Sequence, residues 1–327
     1  MNNRRKLVIA LGAGAIAASL TSMAQTPAGI ARIGYLNVFA RSVGALQLKA
    51  FTQGLEALGY VEGKTFVVEP RWAEGDRERL PALAAELVAA HVDVIVAGTG
   101  QSAIAAKGVT STVPIVMSAS SDAVPQGIVA SLGRPGGNVT GLTALSSELA
   151  PKRLQLLKEL LPRLRKVAVL WCHPSPINEI ELSNAQAAAG KLNLELQPIK
   201  YTGTPASWKE ATRAIERNRP DALFLLDCTT LPFQEIVNFS LVQRIPMMGQ
   251  QSFLPDMGGL LAYGPEIFDM SRRAATFVDK ILKGTKPAEI PVELPLKFEL
   301  AINMKTAKAL GIKIPNSILV QATKVIE

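Results

Sequence analysis

Short apolar runs alternate with longer stretches of helical periodicity along most of this chain, and this alternation constrains its fold more than any other feature. The first four runs cover residues 30–36, 65–69, 92–97 and 113–117. Between them, apolar residues recur at the spacing that buries one face of a helix. Strands that alternate with helices form parallel sheets with helices on both faces. The sequence therefore predicts an α/β fold with a doubly wound parallel sheet.

The same pattern restarts after a glycine-rich stretch at residues 133–142, with further apolar runs at residues 166–171, 194–200 and 221–226. Glycine and proline interrupt helices and central strands, and the stretch lacks the Lys-Ser or Lys-Thr pair of a phosphate-binding loop. We interpret it as a hinge. The predicted fold class is thus α/β, with two doubly wound parallel-sheet lobes joined by a hinge.

The N-terminal residues have the composition of a secretory signal peptide. Three basic residues at positions 4–6 precede an uncharged apolar run at residues 7–20, and Ser22 and Ala24 are small residues suited to cleavage. The run is about 14 residues long, which is too short to span a bilayer as a helix. We expect residues 1–24 to be removed, so that the mature chain begins at Gln25 and is located in the periplasm.

The charge of the chain does not indicate a nucleic-acid partner. The formal net charge of +8 includes the three basic residues of the predicted signal peptide, and the other lysines and arginines are scattered among acidic residues. Aromatic residues make up only 5% of the chain, so it has few rings on which bases could stack. We expect no nucleic-acid binding.

Candidate ligand-binding residues follow from the predicted strands. In open parallel sheets, ligands bind beyond the carboxyl ends of the strands, where helix N-termini present free N–H groups. Two hinged lobes would form a cleft between two such edges. The candidates are Asn37, Phe39, Thr99, Gly100, Gln101, Ser102, Ser118, Ser120, Asp122, Trp171, Asp227, Gln250 and Tyr263.

Several of these candidates have two readings. The segment from Thr99 to Ser102 combines glycine, hydroxyls and a helix start, which suits a carboxylate but also suits ordinary N-capping. Asp122 and Asp227 each end an apolar strand, where each could pair with a ligand ammonium or only cap the following turn. Trp171 and Tyr263 are the preferred pair of aromatic rings for a pocket wall.

The two cysteines, Cys172 and Cys228, end strands that should be neighbours in the second lobe. A disulfide, free buried thiols and a soft-metal site with His173 and Asp227 all remain open for them. No CxxC or HxxxH spacing supports the metal site. We therefore expect neither a metal nor a cofactor.

Catalytic signatures are absent from the sequence, which has two histidines and no GxSxG, HExxH or paired-carboxylate motif. We expect a binding protein and not an enzyme. Two alternatives stay open. One is an exported enzyme that uses Cys172, His173 and Asp227, and the other is a sensory ligand-binding module of the same fold.

Segments distributed along the chain resemble the ABC-transporter substrate-binding protein family that contains tryptophan- and tyrosine-binding members. They are residues 51–55, 58–63, 71–75, 80–88, 92–97, 133–142, 152–154, 263–265, 280–284, 297–303 and 305–311. The resemblance implies a periplasmic-binding-protein type I fold. It also implies a monomeric secreted receptor that closes its lobes on a small solute and presents it to a permease and an ATPase in the membrane. The implied solute is an amino acid, with aromatic ones favoured, or a related small carboxylate.

The resemblance further implies lobes that are discontinuous in sequence. Lobe one would comprise residues 25–145 and a return segment at 252–291, and lobe two would comprise residues 146–251 and 292–327. The chain departs from the family pattern on three cleft loops. Relatives commonly have Asn-Pro where this chain has Cys172, His173 and Pro174, and Asp-Pro where it has Asp227 and Cys228; the loop at 118–122 also differs.

Overall fold

The computed structural model describes residues 29–327, so the predicted signal peptide and its cleavage site lie outside the described residues. The chain forms two separate sheets, each covered by helices on both faces. The predicted fold class, two α/β lobes built on largely parallel sheets, is thereby confirmed.

The first lobe contains a five-stranded parallel sheet with the strand order β2-β1-β3-β4-β5. Its strands are β1 (Ala31–Asn37), β2 (Phe66–Trp72), β3 (Val94–Ala97), β4 (Ile115–Ser120) and β5 (Val139–Thr143). Because the order reverses direction between β1 and β3, the loops after these strands diverge and leave a crevice at the carboxyl edge.

The second lobe contains a seven-stranded sheet with the order β12-β11-β10-β9-β8-β6-β7. Its strands are β6 (Lys166–Cys172), β7 (Glu195–Tyr201), β8 (Ala222–Leu225), β9 (Met247–Gly249), β10 (Leu261–Pro265), β11 (Phe298–Asn303) and β12 (Lys324–Ile326). Strands β6 to β10 repeat the order of the first lobe. The sequence predicted a parallel sheet here, but β11 pairs antiparallel with β10.

Ten α-helices cover the two sheets in the described part of the chain. They are α1 (Arg41–Ala57), α2 (Leu80–Ala89), α3 (Gly100–Val109), α4 (Ser146–Leu160), α5 (Pro176–Leu192), α6 (Pro205–Asn218), α7 (Phe233–Val242), α8 (Ile267–Leu282), α9 (Met304–Leu310) and α10 (Asn316–Gln321). In the first lobe, α1 and α8 cover one sheet face while α2 and α3 cover the other. In the second lobe, α4 and α5 lie opposite α6 and α7.

The central strands are apolar because both of their faces are buried. All four residues of β3 are buried, and alternate residues of β6 enter two different hydrophobic clusters on its two faces. Such strands appear in sequence as continuous apolar runs instead of alternating ones. Polar residues therefore occur mainly at the ends of these strands, whereas the edge strands β2 and β7 carry them along their length, as at Glu69 and Gln197.

The chain crosses between the lobes three times: after β5, after β10 and before β11. The return segment predicted at residues 252–291 is therefore divided, which corrects the expected assignment. Its strand β10 pairs with β9 and β11 in the second sheet. Helix α8 and the residues after it, through Ile290, pack on the first lobe against α1, β4 and β5. A strand buried on both faces fits either sheet, so its apolar pattern alone does not determine its partner.

The glycine-rich stretch is not the hinge that the sequence suggested. It forms a turn and then β5, and the chain leaves the first lobe only after Thr143. Gly136 and Gly137 take positive φ angles of 68° and 71°, and Gly141 takes 126°. A Cβ atom on Gly141 would overlap the carbonyl oxygen of Met117 on β4. These glycines therefore serve a tight turn and close strand packing inside the lobe.

Replacing Gly141 with alanine is expected to lower the free energy of unfolding by about 2–4 kcal/mol, because the new Cβ would overlap the β4 backbone at a strained φ. Gly190→Ala is the matched control. Gly190 is exposed within α5 and has open space around an added Cβ, so the control should be unchanged or about 1 kcal/mol more stable. Urea unfolding followed by circular dichroism measures both. Equal stability of Gly141→Ala and the wild type would contradict the proposed close contact.

Candidate ligand-binding site

A cavity of about 220 Å³ lies between the two lobes. The loops that line it follow β1, β3 and β4 in the first lobe and β6, β8 and β9 in the second. These are equivalent strands in the two lobes, and their carboxyl ends face each other across the cavity. The site therefore lies where parallel sheets of this topology place ligands.

The cavity wall combines polar and apolar side chains. The polar ones are Ser42, Gln47, Thr99, Gln101, Ser121, Gln126, Ser146, Ser175, Asp227, Thr229, Gln250, Gln251 and Ser252. The large apolar ones are Phe39, Val43, Leu46, Ile177, Phe253, Ile267 and Phe268. Among the described lining residues, Asp227 alone carries a charge. The wall thus suits a ligand with an apolar body, several hydrogen-bonding groups and a cationic group.

Helix α3 begins at the cavity wall. Thr99 is its N-cap residue, and its hydroxyl accepts a hydrogen bond from the Ser102 N–H at 3.3 Å. Gly100 and Gln101 form the first turn, whose N–H groups have no partner within a helix. A side chain at position 100 would crowd the Ser120 hydroxyl, so glycine keeps this end open. Free N–H groups at the positive end of a helix dipole favour a carboxylate.

Asp227 lies on the opposite wall and is only 8% exposed. One of its carboxylate oxygens accepts a hydrogen bond from Nε2 of Gln251 at 3.1 Å, and the other accepts one from the hydroxyl of Ser121. Its backbone N–H donates to Glu181 and its carbonyl accepts from Asn178, both at 2.9 Å. The carboxylate is therefore held in one orientation beside the cavity, where it favours an ammonium group.

Two side-chain hydrogen bonds join the lobes at the cavity in the described part of the chain. Ser121 of the first lobe donates to Asp227 of the second. The hydroxyl of Thr229 donates to Oε1 of Gln101 at 2.9 Å. These contacts bring the start of α3 directly against the loop after β8, so the structure represents a closed arrangement of the lobes.

Six of the predicted site residues line the cavity, and seven do not. The six are Phe39, Thr99, Gly100, Gln101, Asp227 and Gln250. The seven are Asn37, Ser102, Ser118, Ser120, Asp122, Trp171 and Tyr263. The difference arises because successive residues at a strand end point to opposite sides, and only some of them point into the cleft.

The polar residues outside the cavity instead hold the loops that form it. Asn37 is fully buried, and its amide accepts from the Phe39 N–H at 3.0 Å and donates to Gln47 at 2.9 Å. Ser118 donates to the carbonyl oxygen of Ala97. Asn37 therefore determines where Phe39 and Gln47 lie without lining the cavity itself, and Ser118 joins β4 to the end of β3.

Asp122 connects the first lobe to the first helix of the second. Its carboxylate accepts hydrogen bonds from the N–H and the hydroxyl of Ser147, at 3.1 and 3.0 Å. The N-cap residue of α4, Leu145, has a φ of 49° and makes no side-chain capping bond. The carboxylate of Asp122 in the first lobe instead accepts a hydrogen bond from an N–H of the first helical turn. Burial raises the pKa of Asp122 to about 6, although the hydrogen bonds from Ser147 oppose the rise.

The aromatic wall expected from Trp171 and Tyr263 is not present at the cavity. Trp171 packs in the hydrophobic cluster beneath α4 and α5, and Tyr263 stacks on Phe298 with 6.1 Å between ring centroids. The neighbour of Trp171, Cys172, lines the cavity instead. The rings of the cavity belong to Phe39, Phe253 and Phe268. The last two lie after β9 and in the first turn of α8, and neither of them was among the candidates predicted from the sequence.

Cys172 and Cys228 form a disulfide bond, with their Cα atoms 5.8 Å apart. It joins the ends of the neighbouring strands β6 and β8, and both residues line the cavity. Of the alternatives that the sequence left open, the disulfide is the one found. The enzyme hypothesis required a free thiol at Cys172, and the disulfide counts against it. Within residues 29–327, no group of three or more His, Cys, Asp and Glu side chains could hold a metal ion.

Two α/β lobes that close on a shared cavity are the architecture of periplasmic binding proteins. Residues 43–326 match the family described as ABC transporter substrate binding protein, and the chain belongs to this family. The family implies a small-molecule solute and ABC transporter partners. No helix within the described residues has both the length and the apolar character needed to cross a membrane.

Three relatives illustrate the similarity. The tyrosine-binding protein of Clostridioides difficile is 28% identical over 270 residues, which cover 81% of this chain and 76% of the relative. A conserved domain protein from Vibrio cholerae is 26% identical with a TM-score of 0.84 over 91% of this chain and 100% of its own. An ABC domain from Streptococcus pneumoniae in complex with L-Trp is 25% identical with a TM-score of 0.83 over the same shares. The resemblance seen in the sequence is confirmed.

Replacing both cysteines with serine is expected to lower the free energy of unfolding by about 4 kcal/mol, because the disulfide closes a loop between residues 56 positions apart. Urea unfolding without reductant measures the difference. In the presence of reductant the wild type should lose most of its advantage over the variant. If the two proteins were equally stable without reductant, the disulfide would not form in solution.

Asp122 is expected to make stability depend on pH. Its folded pKa of about 6 lies above the ordinary value of 3.8, so the folded protein binds the proton more tightly. The stability that this carboxyl contributes is complete below its unfolded pKa and is lost as the pH rises to about 6. Between pH 4 and pH 6, the unfolding free energy of the wild type should therefore fall relative to that of Asp122→Asn. Above pH 6 the difference between the two should stay constant. A difference that did not change over this range would contradict the raised pKa.

Proposed function

We propose that the protein is an exported receptor of an ABC import system, and that it closes on an α-amino acid with an uncharged, preferably aromatic, side chain. The observation that carries this proposal is the pairing of a lone carboxylate, Asp227, with the free N-terminus of α3 across one cavity. An α-amino acid presents an ammonium and a carboxylate side by side, and this pair of groups on the wall is complementary to both.

The two charged groups of such a ligand would bind neighbouring loops. The contact between Thr229 and Gln101 joins the loop of Asp227 to the first turn of α3. An ammonium beside Asp227 and a carboxylate at the α3 N–H groups would therefore lie close together, on the two lobes respectively. Because the ligand would contact both lobes, its binding would favour the closed arrangement.

The rest of the wall supports an uncharged side chain. Phe39, Phe253 and Phe268 supply rings, and the glutamines supply both donors and acceptors for a phenol or an indole N–H. The described lining residues include no lysine or arginine, so a second ligand carboxylate would have no cation to pair with. A simple carboxylate without an ammonium would leave Asp227 unpaired. The tyrosine-binding relative and the L-Trp complex support the aromatic preference.

Export, import direction and oligomeric state complete the proposal. The disulfide agrees with an oxidising compartment such as the periplasm, as does the signal-peptide pattern of residues 1–24. One chain supplies both lobes and the whole cavity wall, which supports a monomeric receptor that delivers its solute to a permease and ATPase pair.

A thermal-shift screen of the mature chain from Gln25 tests the proposal. An aromatic L-amino acid at 100 times its dissociation constant should add about 2.7 kcal/mol, which raises the melting temperature by several degrees. Aspartate, glutamate and carboxylates without an ammonium should give no shift. Shifts caused only by dicarboxylates, or no shift with any amino acid, would overturn the proposed ligand class.

Asp227→Asn is expected to weaken binding of the amino acid found in the screen by about 10- to 100-fold, because a hydrogen-bonded charge pair becomes a neutral contact. Isothermal titration calorimetry measures the affinity. Asp256→Asn is the matched control, because Asp256 is an exposed aspartate of the same lobe that pairs with Lys324 away from the cavity. Unchanged affinity of Asp227→Asn would show that Asp227 does not receive the ammonium.

A further inference from the structure

We propose that Arg153 and Glu181, a buried ion pair behind the cavity wall, are positioning residues of the ligand site. They hold the peptide groups of Asp227 and the lobe crossover at Ser146 in the arrangement that binds ligand. The inference rests on the proposed function where ligand affinity is concerned, and on the structure alone where the position of the two segments is concerned.

The pair lies outside the cavity and away from water. Both side chains are fully buried, with Nη2 of Arg153 at 2.9 Å from Oε1 of Glu181. Neither residue lines the cavity. Their effect on a ligand must therefore pass through the residues that they contact.

Stability alone does not account for the pair. Removing two charges from water is costly, and buried ion pairs can often be replaced by apolar residues without loss of stability. Here the guanidinium is also incompletely bonded, because Nε and Nη1 of Arg153 are buried without a hydrogen-bond partner among residues 29–327. Burial raises the pKa of Glu181, and the charge of Arg153 opposes that rise. Because burying this pair costs free energy, we attribute its role to the backbone segments that the two side chains hold in place.

On one side, the pair holds the loop after β8. The second carboxylate oxygen of Glu181 accepts the Asp227 N–H at 2.9 Å. Asn178, which lies three residues earlier on the same face of α5, donates to the Asp227 carbonyl at 2.9 Å and accepts from the Cys172 N–H at 2.8 Å. Both peptide groups of Asp227 are therefore bound by α5, which determines the direction of its carboxylate.

On the other side, the pair holds the first crossover. Nη2 of Arg153 also donates to the carbonyl oxygen of Ser146 at 2.7 Å. Ser146 lines the cavity, and its hydroxyl accepts a hydrogen bond from Nε2 of Gln250 at 2.9 Å. One guanidinium nitrogen thus connects the crossover with the carboxylate that holds the Asp227 loop.

The test compares a single and a double variant in the ligand-free state and with ligand. Glu181→Gln keeps the side-chain shape but removes the charge that accepts the Asp227 N–H. Hydrogen exchange of residues 226–229 and 144–147 should accelerate by roughly ten-fold or more, as expected when a hydrogen bond to a charged group is lost. The dissociation constant for the amino acid found in the screen should rise by a similar factor.

The double variant Arg153→Met with Glu181→Leu separates positioning from stability. Apolar side chains of similar size should keep the melting temperature near that of the wild type, while exchange stays fast at both segments and affinity stays low. Wild-type exchange and affinity in this double variant would overturn the proposal, even if Glu181→Gln fails to fold. Glu86→Gln, which breaks an exposed pair with Arg71, is the control and should change neither quantity.

The exchange measurement needs no ligand, so the inference and the proposed function can fail separately. If no amino acid binds the wild type, the proposed function fails, and the exchange rates at the two segments still decide whether the pair positions them.

Discussion

The burial of both faces of each sheet is the constraint on which the rest of the structure depends. Because α1 and α8 cover one face of the first sheet while α2 and α3 cover the other, polar residues can be reached by a ligand only at the strand ends. Two sheets of the same strand order then place equivalent loops opposite each other. The cavity is a consequence of this topology, and its chemistry resides in the few loop residues that the topology exposes.

The connections between the lobes explain how such a cavity can close. At the first crossover, Leu145 takes a left-handed conformation, and Asp122 caps the helix that follows it from the other lobe. A cap that spans two lobes ties the helix start to the loop after β4, whose neighbour Ser121 bonds Asp227. Closure therefore requires the crossover, the first-lobe loop and Asp227 to be correctly placed together. Ser121 and Asp227 thus serve both as contacts between the lobes and as the wall of the site, whereas Asp122 serves only as a contact.

The sequence predicted the layers and their loops well but the side-chain directions poorly. Hydrophobic periodicity is local, so the sequence predicted the alternation of strands and helices and placed the start of α3 at Thr99, one residue before its first helical residue. The partner of β10 depends on long-range pairing, and its apolar run fits either sheet. For Trp171, a shift of one residue along β6 decides between core and cavity, and Cys172 occupies the cavity side. The glycines of residues 133–142 correctly indicated unusual backbone conformations. They form a turn and a close strand contact, however, and not the predicted hinge.

The distribution of charge underlies the selectivity that we propose for the site. Three ionisable groups lie in or behind the second-lobe wall: Asp227 at the cavity, and Glu181 and Arg153 beneath it. The positive charge of Arg153 offsets the negative charge of Glu181 but not that of Asp227. The wall therefore carries a single net negative charge opposite the positive end of α3. An arginine inside the cavity would have neutralised Asp227 and favoured a dicarboxylate. With the cation behind the wall, the site keeps the single negative charge that the proposed zwitterionic ligand requires. The hydrogen bond from the Asp227 N–H to Glu181 helps to hold that loop at the cavity.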